Sequence, residues 1–171
     1  AAQGRLDKLE QYLNTFDQKL TRPGFVHTGN PDIDSILNYK LGQAEAAGAR
    51  LELDVKLPEG FTADAFDLNV ILGNLLDNAV EALAKSQEKL LFFSLRVDRG
   101  VFFLNIINSY DGVTLQTQGR DGPVYRSRKG GANHGLGLSI VQRIVEQYHG
   151  QLRIDSTKSV FKVETILYLE E

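Results

Sequence analysis

Hydrophobic residues fall along this chain in blocks whose period changes from place to place, and the changes mark the elements. Leu6, Leu9, Leu13, Phe16 and Leu20 recur at spacings of three and four with mostly polar residues between them. That is the seam of a coiled coil or helical hairpin, too short to be stable alone. Two readings of it stay open: a dimerisation element that needs a partner helix, or an amphipathic helix packed on its own domain. Thr21-Arg22-Pro23-Gly24 breaks the pattern, and Thr28-Gly29-Asn30-Pro31 breaks it again, with Pro31 standing where a helix starts. Ile33, Ile36, Leu37 and Leu41 then predict a helix running toward Ala47, with Gly48 as its stop. Leu51, Leu53, Val55 and Leu57 alternate with polar residues as a half-buried strand does, and Pro58-Glu59-Gly60 turns the chain. From about Asp64 to Leu83 the helical period returns, with Leu68, Leu72, Leu75, Leu76, Ala79 and Leu83 on the buried side.

Two strands follow, Leu90 to Asp98 and Val101 to Asn108, with Arg99-Gly100 between them as a tight hairpin. Tyr110 to Asn133 is rich in Gly, Thr, Gln, Arg and Lys and shows little period, which predicts a long mobile loop. A helix from Leu138 to Tyr148, stopped by Gly150, and a strand pair, Gln151 to Ser156 and Val160 to Leu169, complete the pattern. The reading is an α+β domain over residues 25–171, preceded by a helical segment at 1–24, without internal repeats.

Composition narrows the function. With 171 residues, 42% of them hydrophobic, the chain can bury one compact core and carry a short appendage. A net charge of -3 does not suit a nucleic-acid surface, which needs a basic stripe. The absence of Cys removes disulfides, thiolate metal sites and thiol nucleophiles. No apolar run approaches the roughly 18 residues that a spanning helix needs. The chain also contains no Met, not even an initiator, so we expect it to be a piece of a longer protein.

Candidate chemistry lies on three elements. On the central helix Asn74, Asn78 and Glu81 are spaced four and three apart and share a face, with Asp77 beside them. Carboxamides on an apolar helix cost stability unless they bind something, and one or two Asn oxygens suit a magnesium ion shared with phosphates. The alternative is that they cap or bond neighbouring backbone. Gly130-Gly131-Ala132-Asn133-His134-Gly135-Leu136-Gly137-Leu138 feeds directly into the next helix. Such a start offers free N–H groups and the positive end of the dipole to an anion, unless it is simply a flexible loop ending in an ordinary helix. Arg126, Arg128 and Lys129 lie just upstream, as phosphate contacts or as a solvated cluster. Asn108, at the polar end of an apolar strand, can present both an acceptor and a donor to a purine edge; a plain strand-end turn also accounts for it.

In this order the motifs resemble the GHKL family of ATP-binding domains, over nearly the whole chain. Thr28-Gly29-Asn30-Pro31, Ile36-Leu37-Asn38-Tyr39-Lys40, Asn74-Leu75-Leu76-Asp77-Asn78-Ala79, Ile107-Asn108-Ser109 and His134-Gly135-Leu136-Gly137-Leu138 look like the catalytic end of sensor histidine kinases of the Agr and Vir quorum-sensing type. The resemblance implies a two-layer α/β sandwich, with a mixed sheet of about five strands on one layer and three helices on the other. ATP would lie between the central helix and the lid. It implies that Asn78, with Asn74 nearby, holds Mg²⁺, that Gly135 and Gly137 face the phosphates, and that Asp77, Glu81, Asn108, Arg128, Lys129, His134, Leu136 and Leu138 complete the nucleotide site. Most such kinases use an Asp-x-Gly-x-Gly box to hold adenine, where this chain has Asn108, so weak nucleotide affinity is expected. ATP-hydrolysing members carry a Glu at the position of Asn74, and a carboxamide cannot serve as a general base for water.

None of the three histidines suits a phosphoacceptor. His27 lies in a Pro/Gly-bounded loop, His134 adjoins the phosphate-facing glycines, and His149 reads as a helix C-cap. The family's acceptor stands on an upstream helix, expected outside this chain. The implied partners are that dimerisation helix, a response regulator and, in the full-length protein, a second copy. The implied location is the cytoplasmic side of a membrane-bound sensor. The rival expectation is a non-catalytic regulatory module that binds nucleotide weakly or not at all.

Overall fold

The computed structural model describes residues 26–112, 115–119, 122–126 and 136–169. The Leu6–Leu20 seam lies outside them. Helix α1 (Pro31–Ala46) leads into strand β1 (Arg50–Lys56), helix α2 (Ala65–Lys85), the hairpin β2 (Leu90–Asp98) and β3 (Val101–Ser109), and the short pair β4 (Leu115–Gly119) and β5 (Gly122–Arg126). Helix α3 (Leu136–Gln147) and strands β6 (Gln151–Ser156) and β7 (Val160–Tyr168) follow.

Local chemistry sets the ends of these elements. Asn30 Oδ1 caps α1 by accepting the N–H groups of Asp32 (3.1 Å) and Ile33 (3.2 Å), with Pro31 in the first turn. Asp64 does the same for α2 through Phe66 N (3.0 Å). In the β2–β3 hairpin Arg99 and Gly100 both have positive φ (46° and 72°), as a two-residue turn matching strand twist requires.

One five-stranded sheet, in the order β1-β2-β3-β7-β6, forms a layer; β1 and β2 are parallel and the other pairs antiparallel. The helices lie across one face, α1 over β1, α2 over the central β3, and α3 over β6 and β7. Strand alternation sends Leu91, Phe93 and Leu95 of β2 and Phe102, Leu104 and Ile106 of β3 toward the helices. There they meet Leu37 and Leu41 of α1, Leu68, Leu72, Leu75 and Leu76 of α2, and Val141 and Val145 of α3. This is the two-layer α+β sandwich that the sequence predicts.

Two expectations need correction. The segment after Tyr110 is not without regular structure, since β4 and β5 pair antiparallel with Leu115 opposite Arg126. Strands this polar carry no apolar period from which to read them. Helix α3 begins at Leu136, two residues before the expected start, so Gly137 and Leu138 lie in its first turn. At its other end the left-handed residue is His149 (φ 53°), while Gly150 is needed because a β-carbon there would collide with the Ile166 carbonyl of β7.

Candidate functional site

Asn74, on the carboxamide stripe of α2, faces the start of α3. Asn74 donates Nδ2–H to the carbonyl of Val70 one turn back (2.7 Å), which leaves its Oδ1 facing α3. A β-carbon on Gly137, in the first turn of α3, would stand 2.8 Å from that Oδ1. The missing side chain at 137 therefore has a packing consequence besides its exposure of backbone amides: it lets the start of α3 close onto Asn74. Asn78 and Glu81, one and two turns further along α2, are half-buried.

Asp77 faces the other neighbour. Its carboxylate accepts a hydrogen bond from Lys40 Nζ of α1 at 2.5 Å, with the Asp77 side chain 51% exposed and that of Lys40 16%. Asp77 thus joins α1 to α2, whereas Asn74 meets α3. The rest of the α1 motif is engaged locally. Asn38 bonds the backbone of Val26 in both directions, at 2.6 and 3.0 Å. Asp34 accepts from Thr28 N (2.8 Å) and Thr28 Oγ1 (2.6 Å).

Asn108 continues the helix-facing row of β3 beyond Phe102, Leu104 and Ile106, opposite Leu91 of β2 and Phe161 of β7. It is 2% exposed, and its Nδ2–H donates to the carbonyl of Ser109 at 3.1 Å. Ser109, 1% exposed, turns its hydroxyl to three backbone groups. Oγ accepts from Leu90 N (2.9 Å) and donates to the Glu88 carbonyl (2.6 Å), with the Leu90 carbonyl a longer second acceptor (3.4 Å), which fastens the α2–β2 connection to the end of β3. Tyr110 leaves β3 with its N–H on Ser159 O (3.0 Å) and its hydroxyl on the Thr157 carbonyl.

The far end of the α2–α3 pair is tied by Tyr148, whose hydroxyl donates to Asp67 Oδ2 in the first turn of α2 at 2.7 Å. Burial, with the Asp67 hydrogen bond and charge adding to it, pushes the Tyr148 phenol up to about 12. Asn74 and Gly137 thus meet between α2 and α3, Leu138 follows Gly137 in α3, Asn78 and Glu81 stand further along α2, Asn108 lies at the end of β3 beneath the helix layer, and Asp77 is drawn to α1. Arg128, Lys129, His134 and Gly135 lie outside the described residues, and Leu136 opens α3. Lys40 and Ser109 stand in quoted motifs and Tyr148 ends a predicted helix, but nothing in the local sequence marks the bonds that these three make. A serine after Asn108 has the look of an ordinary strand end, and long-range pairs such as Lys40 with Asp77 leave no local pattern.

The profile of the GHKL domain family matches residues 63–167. Among curated proteins, the chain is 26% identical over 138 residues to the probable C4-dicarboxylate sensor kinase of Halalkalibacterium halodurans, covering 77% of this chain and 26% of that protein. It is 27% identical over 169 residues to the sensor histidine kinase NatK of Bacillus subtilis, covering 96% of this chain and 52% of NatK. The chain therefore spans about half or less of those relatives. Among solved structures, the mycobacterial sensor histidine kinase MprB aligns with a TM-score of 0.56 at 22% identity, over 79% of this chain and 94% of that one. The catalytic domain of the histidine kinase ThkA aligns with a TM-score of 0.57 at 16% identity, over 83% and 93%. Full-length ShkA in complex with AMPPNP aligns with a TM-score of 0.58 at 20% identity, over 81% of this chain and 29% of that one. The sheet order and helix layer are those of histidine kinase catalytic domains, and the chain belongs to the GHKL domain family.

Proposed function

We propose that this domain binds ATP with magnesium and transfers the γ-phosphoryl group to a histidine on a helix outside this chain, as the catalytic domain of a sensor histidine kinase. The observation that carries the reading is the closure of α3 onto Asn74 through Gly137. It sets the N-terminal amides of a helix, a ready anion site, beside the carboxamide stripe of α2. The curated relatives named as sensor kinases and the AMPPNP complex of ShkA support it.

The residues present fit a magnesium ion. Asn74 has its nitrogen committed to Val70 O and its oxygen facing the first turn of α3. Asn78 stands half-buried on the same stripe. Among the described residues no group of three or more His, Cys, Asp or Glu gathers. Magnesium keeps most of its waters and is shared with phosphates, so a single firm carboxamide ligand is adequate. Asn78 would hold the ion, with Asn74 against α3 as its neighbour, and the ion would offset phosphate charge.

In the transfer, a ring nitrogen of the acceptor histidine forms a bond to the γ-phosphorus, the bond from that phosphorus to the β–γ bridging oxygen breaks, ADP leaves, and the proton on the other ring nitrogen passes to water. Neutral imidazole already has an unprotonated nucleophilic nitrogen, so this domain need not supply a base, in keeping with Asn rather than Glu at position 74. Its work is positioning and charge stabilisation. Asn108 would meet the base, and Arg128, Lys129, His134 and Gly135 the phosphates. In the whole protein the partners would be its own upstream helix, a second copy and a response regulator, on the cytoplasmic side of a membrane. Asn108-Ser109 in place of Asp-x-Gly-x-Gly supports a place with the Agr and Vir type.

The test is binding of AMPPNP with and without Mg²⁺, followed by transfer from γ-labelled ATP to a protein carrying the upstream helix. Magnesium-dependent binding and acid-labile label on that helix are expected. No nucleotide binding would turn the reading to a regulatory module.

A further inference from the structure

We propose that Ser109 is a positioning residue that sets base selectivity: it holds the Asn108 carboxamide with its oxygen, not its nitrogen, toward the base. The site then takes a purine with an exocyclic amino group at its 6-position and rejects one with an oxo group there. This rests on the reading that Asn108 meets the base. The orientation follows from one contact. A carbonyl oxygen can only accept, so the Asn108 atom 3.1 Å from Ser109 O must be the NH₂ nitrogen, and the side-chain oxygen is the end left to present. Asn108 is 2% exposed, so turning the amide would set oxygen against oxygen without water to compensate.

Ser109 keeps its own carbonyl in place for this. In the β2–β3 ladder the last pair is Leu91 with Asn108, and Leu90 comes next, opposite Ser109. The Leu90 N–H does not depend on the Ser109 carbonyl, because it donates to Ser109 Oγ at 2.9 Å. The same hydroxyl donates to Glu88 O at 2.6 Å, which pins residue 109 from the other side. The hydroxyl thus gives Leu90 an acceptor of its own, and the carbonyl is kept for Asn108. This also explains how a neutral Asn does the work of an acceptor: its second atom is occupied.

ADP and inosine diphosphate differ only at the edge in question and serve as probes, titrated calorimetrically with Mg²⁺. The unmodified protein should bind ADP about tenfold or more tightly than inosine diphosphate. In Ser109→Ala, Leu90 N–H loses its acceptor and turns to the residue 109 carbonyl, drawing that carbonyl into the β2–β3 ladder and away from Asn108 Nδ2, so the ratio should fall toward one. The ratio does not depend on the fraction of folded protein, so partial loss of stability does not obscure it. In Asn108→Asp a carboxylate oxygen would face the Ser109 carbonyl, and ADP affinity should drop, although Asp is the commoner residue in related kinases. An unchanged ratio in Ser109→Ala, or tighter ADP binding in Asn108→Asp, would overturn the proposal. Asn108→Ala separates it from the reading beneath: unchanged ADP affinity there means that Asn108 does not meet the base at all. Reduced affinity there with full selectivity in Ser109→Ala means that only the role of Ser109 fails.

Discussion

Gly137 and Asn74 lie so close that a β-carbon on residue 137 would stand 2.8 Å from the Asn74 side-chain oxygen. The Asn74 amide is not free to turn aside, because its nitrogen is bonded to Val70 O at 2.7 Å. The start of α3 is therefore seated on Asn74 by a contact that a β-carbon could enter only if the Asn74 amide gave way.

Gly137→Ala should destabilise the domain by about 1–3 kcal/mol through overpacking and weaken nucleotide binding. The cause can be checked with a double-variant cycle. Adding Asn74→Ala removes the obstructing oxygen, so the pair should be more stable than the sum of the two single changes implies, read from urea midpoints. Simple additivity would show that the two residues do not press on one another.

Asn78→Ala separates metal binding from packing. The side chain is half-buried and on the α2 stripe, so its loss should cost less than about 1 kcal/mol of stability. The gain in nucleotide affinity on adding Mg²⁺ should disappear. Retention of the full magnesium effect would move the metal away from Asn78.

Asp77→Asn tests a residue that the motif would place in the nucleotide site but the fold draws toward α1. Its carboxylate is 51% exposed and paired with Lys40, so the change should alter stability by no more than about 1 kcal/mol. Nucleotide affinity should stay within about twofold. A loss of tenfold or more, measured by calorimetry, would return Asp77 to the pocket.

What could be read in advance follows from the range of each interaction. The periods of α1 and α2, the Arg99-Gly100 turn and the alternation of β1, β2, β3 and β7 are local, and each is repeated over several residues, so the layers of the fold were legible. The stripe of Asn74 and Asn78 was legible for the same reason, since helical spacing alone puts them together. The partners of that stripe were not. Which side of α2 meets Lys40 and which meets Gly137 depends on how three helices are laid over one sheet, and nothing near Asp77 in the chain distinguishes it from Asn78. The β4–β5 pair is not legible because its polar residues carry no period, and the start of α3 reads two residues late because glycine weighs against helix in any local pattern. The role of Gly150 likewise depends on Ile166 of β7, a strand that follows it.

Tyr148 ties the end of α3 to Asp67 at the start of α2, opposite the Gly137 contact, and this link should give the domain a distinctive alkaline response. Its phenol is pushed from 10.0 up to about 12, first by burial and then by the hydrogen bond and charge of Asp67. The folded state therefore holds the proton more tightly than the unfolded chain. Below pH 10 both states are protonated, and the contribution of the bond is fully present. Between pH 10 and about 12 the unfolded chain releases the proton while the folded protein keeps it, so stability falls as pH rises, and the contribution is gone above that window. Tyr148→Phe should lower stability at pH 8 by about 1–2 kcal/mol through the lost hydrogen bond to a carboxylate. The deficit should shrink as pH is raised through 10 to 12, because the variant has no phenol at this position to titrate. Urea midpoints of the two proteins at pH 8, 10 and 11 measure this directly, with the other tyrosines common to both. A deficit that stays constant across that series would show that burial and Asp67 do not hold the Tyr148 phenol protonated in the folded state.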